Sequence, residues 1–151
     1  VLSPNSSKEI YEKGIDTISS DTACYPAKMV HGHIRTLVEM GEKWIFYPCI
    51  NYEYVEDPKA QNHYNCPVVA TYPEVIANNM NELFDAFGVT FTHPFVPYDN
   101  DKRLVRRMTE ILEDKGISHE EIKKAVEAAR AEELAFKKDI QKSAFLSKPY
   151  V

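Results

Sequence analysis

The chain has 151 residues, 44% of them hydrophobic and 27% charged, which is typical of one globular domain and argues against a wholly disordered protein. Its formal net charge is −5. Neither nucleic acid nor an anionic membrane is therefore a predicted partner, because an acidic chain has no bulk attraction to them. No apolar run could span a bilayer and no secretory signal is visible, so we expect a cytoplasmic protein.

Short apolar segments alternate with amphipathic ones at the start of the chain. The elements predicted up to residue 48 are, in order, a strand, a helix, a strand, a helix and a strand: Val1–Ser3, Ser6 or Ser7 to Lys13, Ile15–Ser19, Tyr25–Met40 and Lys43–Pro48. Gly14 and Gly41 follow the two helix ends, where glycine is favoured. Pro26 suits the first turn of the second helix, because its missing N–H costs nothing there.

A long loop, Asn51–Asn65, follows these elements. Such a length is uncommon in a compact domain unless the loop is functional or disordered. The loop contains Tyr52, Tyr54, His63 and Tyr64, an aromatic content that is atypical of a disordered linker.

Helices dominate the predicted second half. The remaining elements are a strand at Pro67–Thr71, a helix from Pro73 to Gly88, a strand at Val89–Thr92, a helix carrying Leu104 to Leu112, and a long helix that begins with a capping box at Ser118-His-Glu-Glu121. The order of elements predicts a single α/β domain over residues 1–151 with a mostly parallel sheet flanked by helices. Residues 101–146 are predicted to form a helical C-terminal extension.

Three cysteines are the main candidates for chemistry, and their odd number disfavours a disulfide framework. Cys24 and Cys49 follow predicted strands, at the edge of a parallel sheet where ligands bind. Cys66 precedes the strand predicted at Pro67–Thr71, which places it at the opposite edge. It reaches the others only if the long loop folds back, or if that strand starts later or runs the other way. Otherwise it is not part of the site.

The cysteine pattern is compatible with several kinds of site. Three thiolates can hold an iron–sulfur cluster and leave one iron open, or they can hold zinc together with His31, His33 or His63. Cys24, at a helix N-terminus, is also a candidate nucleophile, although no orienting partner is evident. The alternative is that all three cysteines only fill the core. A nucleotide site is not expected, because the five glycines are scattered.

The segments around the cysteines resemble a known family. They are Ser20-Asp-Thr-Ala-Cys-Tyr-Pro-Ala-Lys-Met-Val-His-Gly-His33, Ile45-Phe-Tyr-Pro-Cys-Ile50, Asn62-His-Tyr-Asn-Cys-Pro67 and Thr71-Tyr-Pro-Glu-Val-Ile76. Together they are similar to the uncharacterised domain attached to CoA-substrate-specific enzyme activases, the activators of 2-hydroxyacyl-CoA dehydratases. The resemblance runs from about Leu2 to the final long helix. The activase proper resembles an actin/Hsp70-like ATPase, and this chain lacks the phosphate loops of that module.

The resemblance implies a Rossmann-like domain similar to the dehydratase subunits that accept electrons. On that analogy the ligands of a [4Fe-4S] cluster are Cys24, Cys49 and Cys66, and the nearby residues of unassigned role are Asp21, His31, His33 and His63. The implied function is iron–sulfur electron transfer. An ATPase activase module on the same or a partner chain would supply the electrons, and an acyl-CoA substrate would react at a neighbouring site. In an aerobic sample the cluster could be absent or replaced by zinc.

A second interpretation is a metal-free interaction or scaffold domain of an activase. Its cysteines would be structural, and the long helix Glu120–Lys142 would dock a partner through an exposed apolar stripe. The domain is not expected to be catalytic alone. The start at Val1 rather than Met is typical of a fragment. A missing first strand and helix would leave an open sheet edge, which favours a homodimer.

Overall fold

The computed structural model describes residues 1–55 and 57–146, with side chains as far as residue 143. The predicted domain extends to residue 151, so residues 147–151 lie outside the described part. The described chain divides into a first unit, Val1–Asp99, and a second unit that begins at Asn100. Among the described helices, none is both long enough and apolar enough to cross a membrane.

The first unit combines helices with a small parallel sheet. Its elements are α1 Lys8–Gly14, α2 Tyr25–Glu39, β1 Trp44–Phe46, α3 Pro67–Asn79, α4 Asn81–Phe87 and β2 Thr90–Thr92. β1 and β2 run parallel, with Trp44 opposite Thr90 and Phe46 opposite Thr92. The parallel pairing agrees with the predicted α/β class. The described residues form a sheet of only two strands, however, so the Rossmann-like prediction overstates the sheet.

Three of the predicted strands are wrong. Val1–Ser3 lies outside the helices and strands of the described residues, and Ile15–Ser19 begins with a 3₁₀ turn. Pro67–Thr71 is the first part of α3. A short apolar run fits a strand and a buried helical turn equally well, so its pattern alone does not decide between them. At Pro67 the helix prevails because proline is well suited to a first helical turn.

The helix predicted from Pro73 to Gly88 is the end of one helix and the whole of the next. Pro73 lies inside α3, and Met80 both ends α3 and precedes α4. Gly88 ends α4 with a φ of 60°, a left-handed conformation that glycine adopts without strain. The predicted stop at Gly88 is therefore confirmed, and the predicted start at Pro73 is wrong.

The core of the first unit joins α2, β1, α3 and α4. Its buried side chains are Ala27, Ile34, Val38, Ile45, Tyr72, Ile76, Met80 and Phe84. Ile76 and Met80 are the deepest, at 0% and 1% exposure. Full burial of one large apolar side chain stabilises a fold by about 1.5–3 kcal/mol. This cluster therefore fixes how α2 and α3 lie against the sheet.

α1 lies tightly against α2 because two glycines allow their backbones to approach. A Cβ atom at Gly14 would overlap the backbone of Gly32, and a Cβ atom at Gly32 would overlap the carbonyl of Ile10. The sequence predicts Gly14 only as a helix stop. In the structure it is also half of this contact, so neither glycine can be replaced without moving a helix.

The second unit is a pair of helices joined by a tight turn. α5 spans Asp101–Leu112, Gly116 turns the chain with a φ of 69°, and α6 spans His119–Leu146. The predicted capping box is confirmed. The Ser118 hydroxyl accepts a hydrogen bond from the Glu121 N–H at 3.3 Å, and the Glu121 carboxylate accepts one from the Ser118 N–H at 2.9 Å.

Candidate functional site

The carboxyl ends of β1 and β2 continue into the backbone around Cys49. The Cys49 N–H donates to the carbonyl of Pro94, and the Val96 N–H donates to the carbonyl of Cys49, both at 2.9 Å. These bonds extend the parallel pairing as a bridge between Cys49 and Phe95. Cys49 therefore follows β1 at the carboxyl edge of the sheet, where the sequence predicts it.

Cys24 and Cys66 occupy equivalent positions at the starts of two helices. Each is the N-cap residue, Cys24 of α2 and Cys66 of α3, with nearly the same extended backbone: φ −63° and ψ 151°, against φ −62° and ψ 152°. A proline lies in the first turn of both helices. The Cys66 sulfur accepts a hydrogen bond from the Val69 N–H at 3.5 Å. Both thiols are thus held where free backbone N–H groups point out of a helix.

One cavity of about 450 Å³ brings these two thiols together. Its other lining residues are mostly apolar, and they are Pro26, Ala27, Val30, Tyr47, Pro48, Ile50, Val68 and Val69. Cys66 reaches the cavity because the residues after it form a helix rather than a strand. The sequence left the place of Cys66 open, and the structure puts it with Cys24.

Cys49 has a different environment. Its side chain is 7% exposed, and the thiol donates to the carbonyl of His93 at 3.8 Å. Burial raises the pKa of the Cys49 thiol, and the negative charge of Glu74 raises it further. Among the described residues that line the shared cavity, Cys49 does not appear. It is a buried thiol whose raised pKa favours the protonated form.

The three predicted ligands do not form a ready-made metal site. Across residues 1–55 and 57–146, no group of three His, Cys, Asp or Glu side chains is placed to hold one metal ion. Two exposed thiols on one cavity fit the donor chemistry of an iron–sulfur or zinc site. The third thiol does not fit in its present position, because it is buried and bonded to a backbone carbonyl.

His31 is a buried core residue. Its side chain is fully buried, with Nδ1 at 2.8 Å from the Thr17 hydroxyl and Nε2 at 2.9 Å from the Tyr72 hydroxyl. Burial lowers the pKa of His31 to about 4. The ring is therefore neutral at physiological pH, and both of its nitrogens are occupied by protein partners.

The other predicted neighbours of the site are dispersed. His33 contacts the Ser3 and Ser6 hydroxyls, both at 2.9 Å, and does not line the thiol cavity among the described residues. His63 packs beside Tyr52 at a ring distance of 5.7 Å in the long loop. The backbone carbonyl of Asp21 accepts from the Lys28 ammonium at 2.7 Å, which ties the segment before Cys24 to α2.

Two tyrosines beside the thiols were missed by the sequence reasoning. Tyr47 lines the cavity, and its pKa is raised by burial and, where Tyr72 and Cys49 are ionised, by repulsion from them. The pKa of Tyr72 is raised by burial and by the charge of Cys24. Tyr47 follows β1 directly, so the strand-end rule applied to Cys49 would have found it.

A histidine at the same edge was also missed. His93 follows β2, and its Nδ1 lies 3.0 Å from the Glu74 carboxylate of α3. Its backbone carbonyl accepts from the Cys49 thiol. The strand-end rule would again have selected this residue, because β2 was predicted correctly. His93 and Glu74 are therefore the polar surroundings of Cys49.

Comparison with known families agrees with this assembly of motifs. Neither the comparison with curated proteins nor the comparison with solved structures gave a match. One family model, described as CoA enzyme activase uncharacterised domain (DUF2229), matches residues 1–149. That range includes all three cysteines and both units. The chain therefore belongs to the family of the CoA enzyme activase uncharacterised domain.

Proposed function

We propose that this domain is the thiol-bearing, iron–sulfur electron-transfer part of an activase system. The observation that carries the proposal is the shared cavity of Cys24 and Cys66, with two equivalent helix starts presenting two exposed thiols. Soft thiolate ligands are the usual protein ligands of iron–sulfur clusters. Cys49 is proposed as the third ligand.

Recruitment of Cys49 requires a local rearrangement. Its thiol has to leave the His93 carbonyl and the surroundings that keep it protonated. Since a thiol binds metal as the thiolate, the raised pKa opposes this change. Metal uptake through all three cysteines is therefore expected to be slower than uptake at a site whose ligands all face solvent.

The expected partners follow from the same proposal. Family membership supports a role beside a CoA enzyme activase. The finer proposal is that an ATPase module, on the same or a partner chain, delivers electrons to this domain. An acyl-CoA-dependent protein would then receive them. The apolar lining around Cys24 and Cys66 supports this role, because the polarity of the surroundings of a cluster tunes its potential.

Anaerobic reconstitution tests the proposal. The full chain is incubated with ferrous iron and sulfide, and bound iron, optical spectra and EPR spectra are recorded. We expect about four irons per chain. The matched variants are Cys24→Ser, Cys66→Ser and Cys49→Ser, which change one atom at each of the three cysteines. Each should lose most of the iron. A folded wild-type chain that binds no iron, or serine variants that bind as much as the wild type, would contradict the proposal.

A second candidate function, a metal-free interaction domain, is favoured by an exposed apolar stripe on α6. Phe136 and Ile140 are 62% and 51% exposed. They lie fourteen and eighteen residues after the buried Ile122, so they share its helix face. α6 is 28 residues long and α5 only 12. α5 is therefore too short to cover the whole stripe.

The occupant that we propose for this stripe is a second copy of the chain, aligned in parallel. Glu132 and Asp139 flank one side of the stripe. On the other side lie Arg130, which is paired with Asp101 of α5 at 2.8 Å, and Lys137, which is paired with Glu133 at 2.7 Å. In a parallel pair the acidic side of one helix meets the basic side of its partner, whereas an antiparallel pair would bring like charges together. The charge pattern therefore favours the parallel arrangement.

Light scattering over a range of concentrations tests this dimer. Phe136→Glu should shift the full chain to monomer, because it places a charge in the apolar stripe. Ala131→Glu adds the same charge on the opposite, exposed face of α6 and is the matched control. A wild-type chain that stays monomeric at every concentration would overturn this second candidate without affecting the first.

A further inference from the structure

A buried hydrogen bond joins the two helices that carry the exposed thiols. His31 Nε2 of α2 lies 2.9 Å from the Tyr72 hydroxyl of α3. The side chains are 0% and 6% exposed, and their rings meet edge-on at 5.6 Å. A hydrogen bond withdrawn from water in this way is costly to break, since each separated partner would stay buried and unsatisfied.

One arrangement of protons makes all three hydrogen bonds of this row at once. The Thr17 hydroxyl donates to the carbonyl of Gly14 at 3.0 Å, because a carbonyl can only accept. Its oxygen therefore accepts from His31 Nδ1–H at 2.8 Å. The neutral imidazole then has only Nε2 as an acceptor, so the Tyr72 hydroxyl donates to it. In this arrangement Tyr72 donates to His31, His31 donates to Thr17, and Thr17 donates to the carbonyl of Gly14.

The bond lies at a matching depth on the two helices. His31 is seven residues after Cys24, and Tyr72 is six residues after Cys66. At a rise of 1.5 Å per residue, the bond is about 10.5 Å from the start of α2 and about 9 Å from the start of α3. Cys24 and Cys66 thus begin two helices that this hydrogen bond joins at a similar distance from both starts.

We infer that the Tyr72–His31 hydrogen bond, anchored by Thr17, is a positioning contact that sets the distance between the Cys24 and Cys66 thiols. This inference deepens the proposed function, since those two thiols are its first two ligands. Tyr72 and His31 act through the helices rather than on a bound cluster. The inference concerns the spacing of the thiols, so it can be measured without iron.

Crosslinking with reagents of graded length measures that spacing. The parent protein is the full chain with Cys49→Ser, in which Cys24 and Cys66 are the two remaining thiols. Bis-thiosulfonates of increasing spacer length are added, and the singly bridged product is quantified by mass spectrometry. The parent should give a narrow maximum at one spacer length. Adding Tyr72→Phe should broaden the profile and lower the best yield by about threefold or more, because bridging depends steeply on positioning.

Variants of Thr17 separate positioning from general loss of stability. Thr17→Val removes the acceptor for His31 Nδ1–H and should broaden the profile, whereas Thr17→Ser keeps that acceptor and should restore the parent profile. Tyr11→Phe removes a hydroxyl from another tyrosine of the first unit and should change nothing. If Tyr72→Phe does not fold, the comparison of the crosslinking profiles of Thr17→Val and Thr17→Ser tests the inference by itself.

The outcomes for spacing and for iron are independent. A folded Tyr72→Phe or Thr17→Val protein with the parent profile would overturn the inference. A broadened profile in a chain that binds no iron would support the spacing role and contradict the cluster. Iron binding by the chain that retains Cys49, together with an unchanged crosslinking profile in both variants of the Cys49→Ser parent, would support the cluster and contradict the spacing role.

Discussion

The three cysteines fall into two classes that differ in solvent exposure. Cys24 and Cys66 are exposed, whereas Cys49 is buried. Burial and the charge of Glu74 raise the pKa of the Cys49 thiol. Since only the thiolate reacts with electrophiles and metals, this class difference should be visible in simple thiol chemistry.

Native alkylation should label two thiols quickly and the third slowly. In the folded, metal-free chain at pH 7.5, iodoacetamide should modify Cys24 and Cys66 at least about tenfold faster than Cys49, because that thiol is both shielded and protonated. Peptide mass spectrometry gives the three rates. In denaturant the three rates should converge. A Cys49 that reacts as fast as the others in the folded protein would contradict this assignment.

The neutral His31 should make the fold sensitive to mild acid. In the unfolded chain His31 takes up a proton near its ordinary pKa of 6.5, whereas in the folded chain it does so only near about 4. The contribution of neutral His31 to stability is therefore fully present above pH 6.5. It is lost as the pH decreases towards 4, which lowers the free energy of unfolding by up to roughly 3 kcal/mol. Urea titrations followed by the fluorescence of Trp44 should show this loss.

A comparison with His33 tests the source of the acid sensitivity. His33 is bonded to Ser3 and Ser6 outside the core, so His33→Gln should keep the same pH dependence. His31→Gln should be less stable at pH 7 and should lose most of the slope between pH 6.5 and 4. An unchanged slope in His31→Gln would assign the acid sensitivity to another group.

At the scale of elements, the close pair of α1 and α2 depends on the small size of Gly14 and Gly32. The sequence marks Gly14 as a helix stop and offers no reason for Gly32, which lies inside a helix. The structure supplies the reason, since a Cβ atom at either glycine would overlap backbone of the other helix. Glycine in a helix interior is otherwise unfavourable.

Gly32→Ala should therefore destabilise the protein strongly, although alanine is the better helix former. The added methyl group collides with the carbonyl of Ile10, and relief of that collision has to separate α1 from α2. We expect a loss of about 1–3 kcal/mol or more, the usual cost of overpacking. Arg35→Ala, on the exposed side of α2, should change stability by less than about 0.5 kcal/mol. Thermal unfolding measures both. Equal effects would contradict the close-contact explanation.

Elements with strong local signals could be predicted from the sequence, and those that depend on distant contacts could not. The start of α2 at Tyr25, the stop at Gly88 and the capping box at Ser118 are each encoded by neighbouring residues. The strand predicted at Pro67–Thr71 is wrong because its short apolar run fits the periodicity of a helix as well as that of a strand. That single error made Cys66 look distant. The partners of His31 could not be foreseen either, because Tyr72 is far away in sequence.

At the scale of the molecule, we expect the packing of the core of the first unit to limit the access of reagents to the Cys49 thiol. Ile76 is fully buried in that core and belongs to α3, the helix that Cys66 begins and that carries Glu74. Opening of α3 would remove the charge and the packing that surround Cys49. The rate at which Cys49 becomes reactive should therefore report the stability of this unit.

Ile76→Ala should accelerate the alkylation of Cys49. The cavity left by the substitution costs about 2–5 kcal/mol, and it raises the population of open forms accordingly. The rates for Cys24 and Cys66 should change little, because these thiols are already exposed. Ile15→Ala, at a position that is 46% exposed, is the control. A Cys49 rate equal in Ile76→Ala and the wild type would show that the thiol is reached by another route.

The parallel register of β1 and β2 also sets an order of events during synthesis of the chain. Trp44 pairs with Thr90, so the stretch that contains Cys49 and Cys66 is a loop closed only by the later strand. A ribosome must release residues beyond Thr92 before this closure can occur. Until then the wall formed by Tyr47, Pro48 and Ile50 has no sheet behind it. If the chain binds metal as proposed, we expect loading to follow the synthesis of the first unit, because the cysteines are not held in place before β1 pairs with β2.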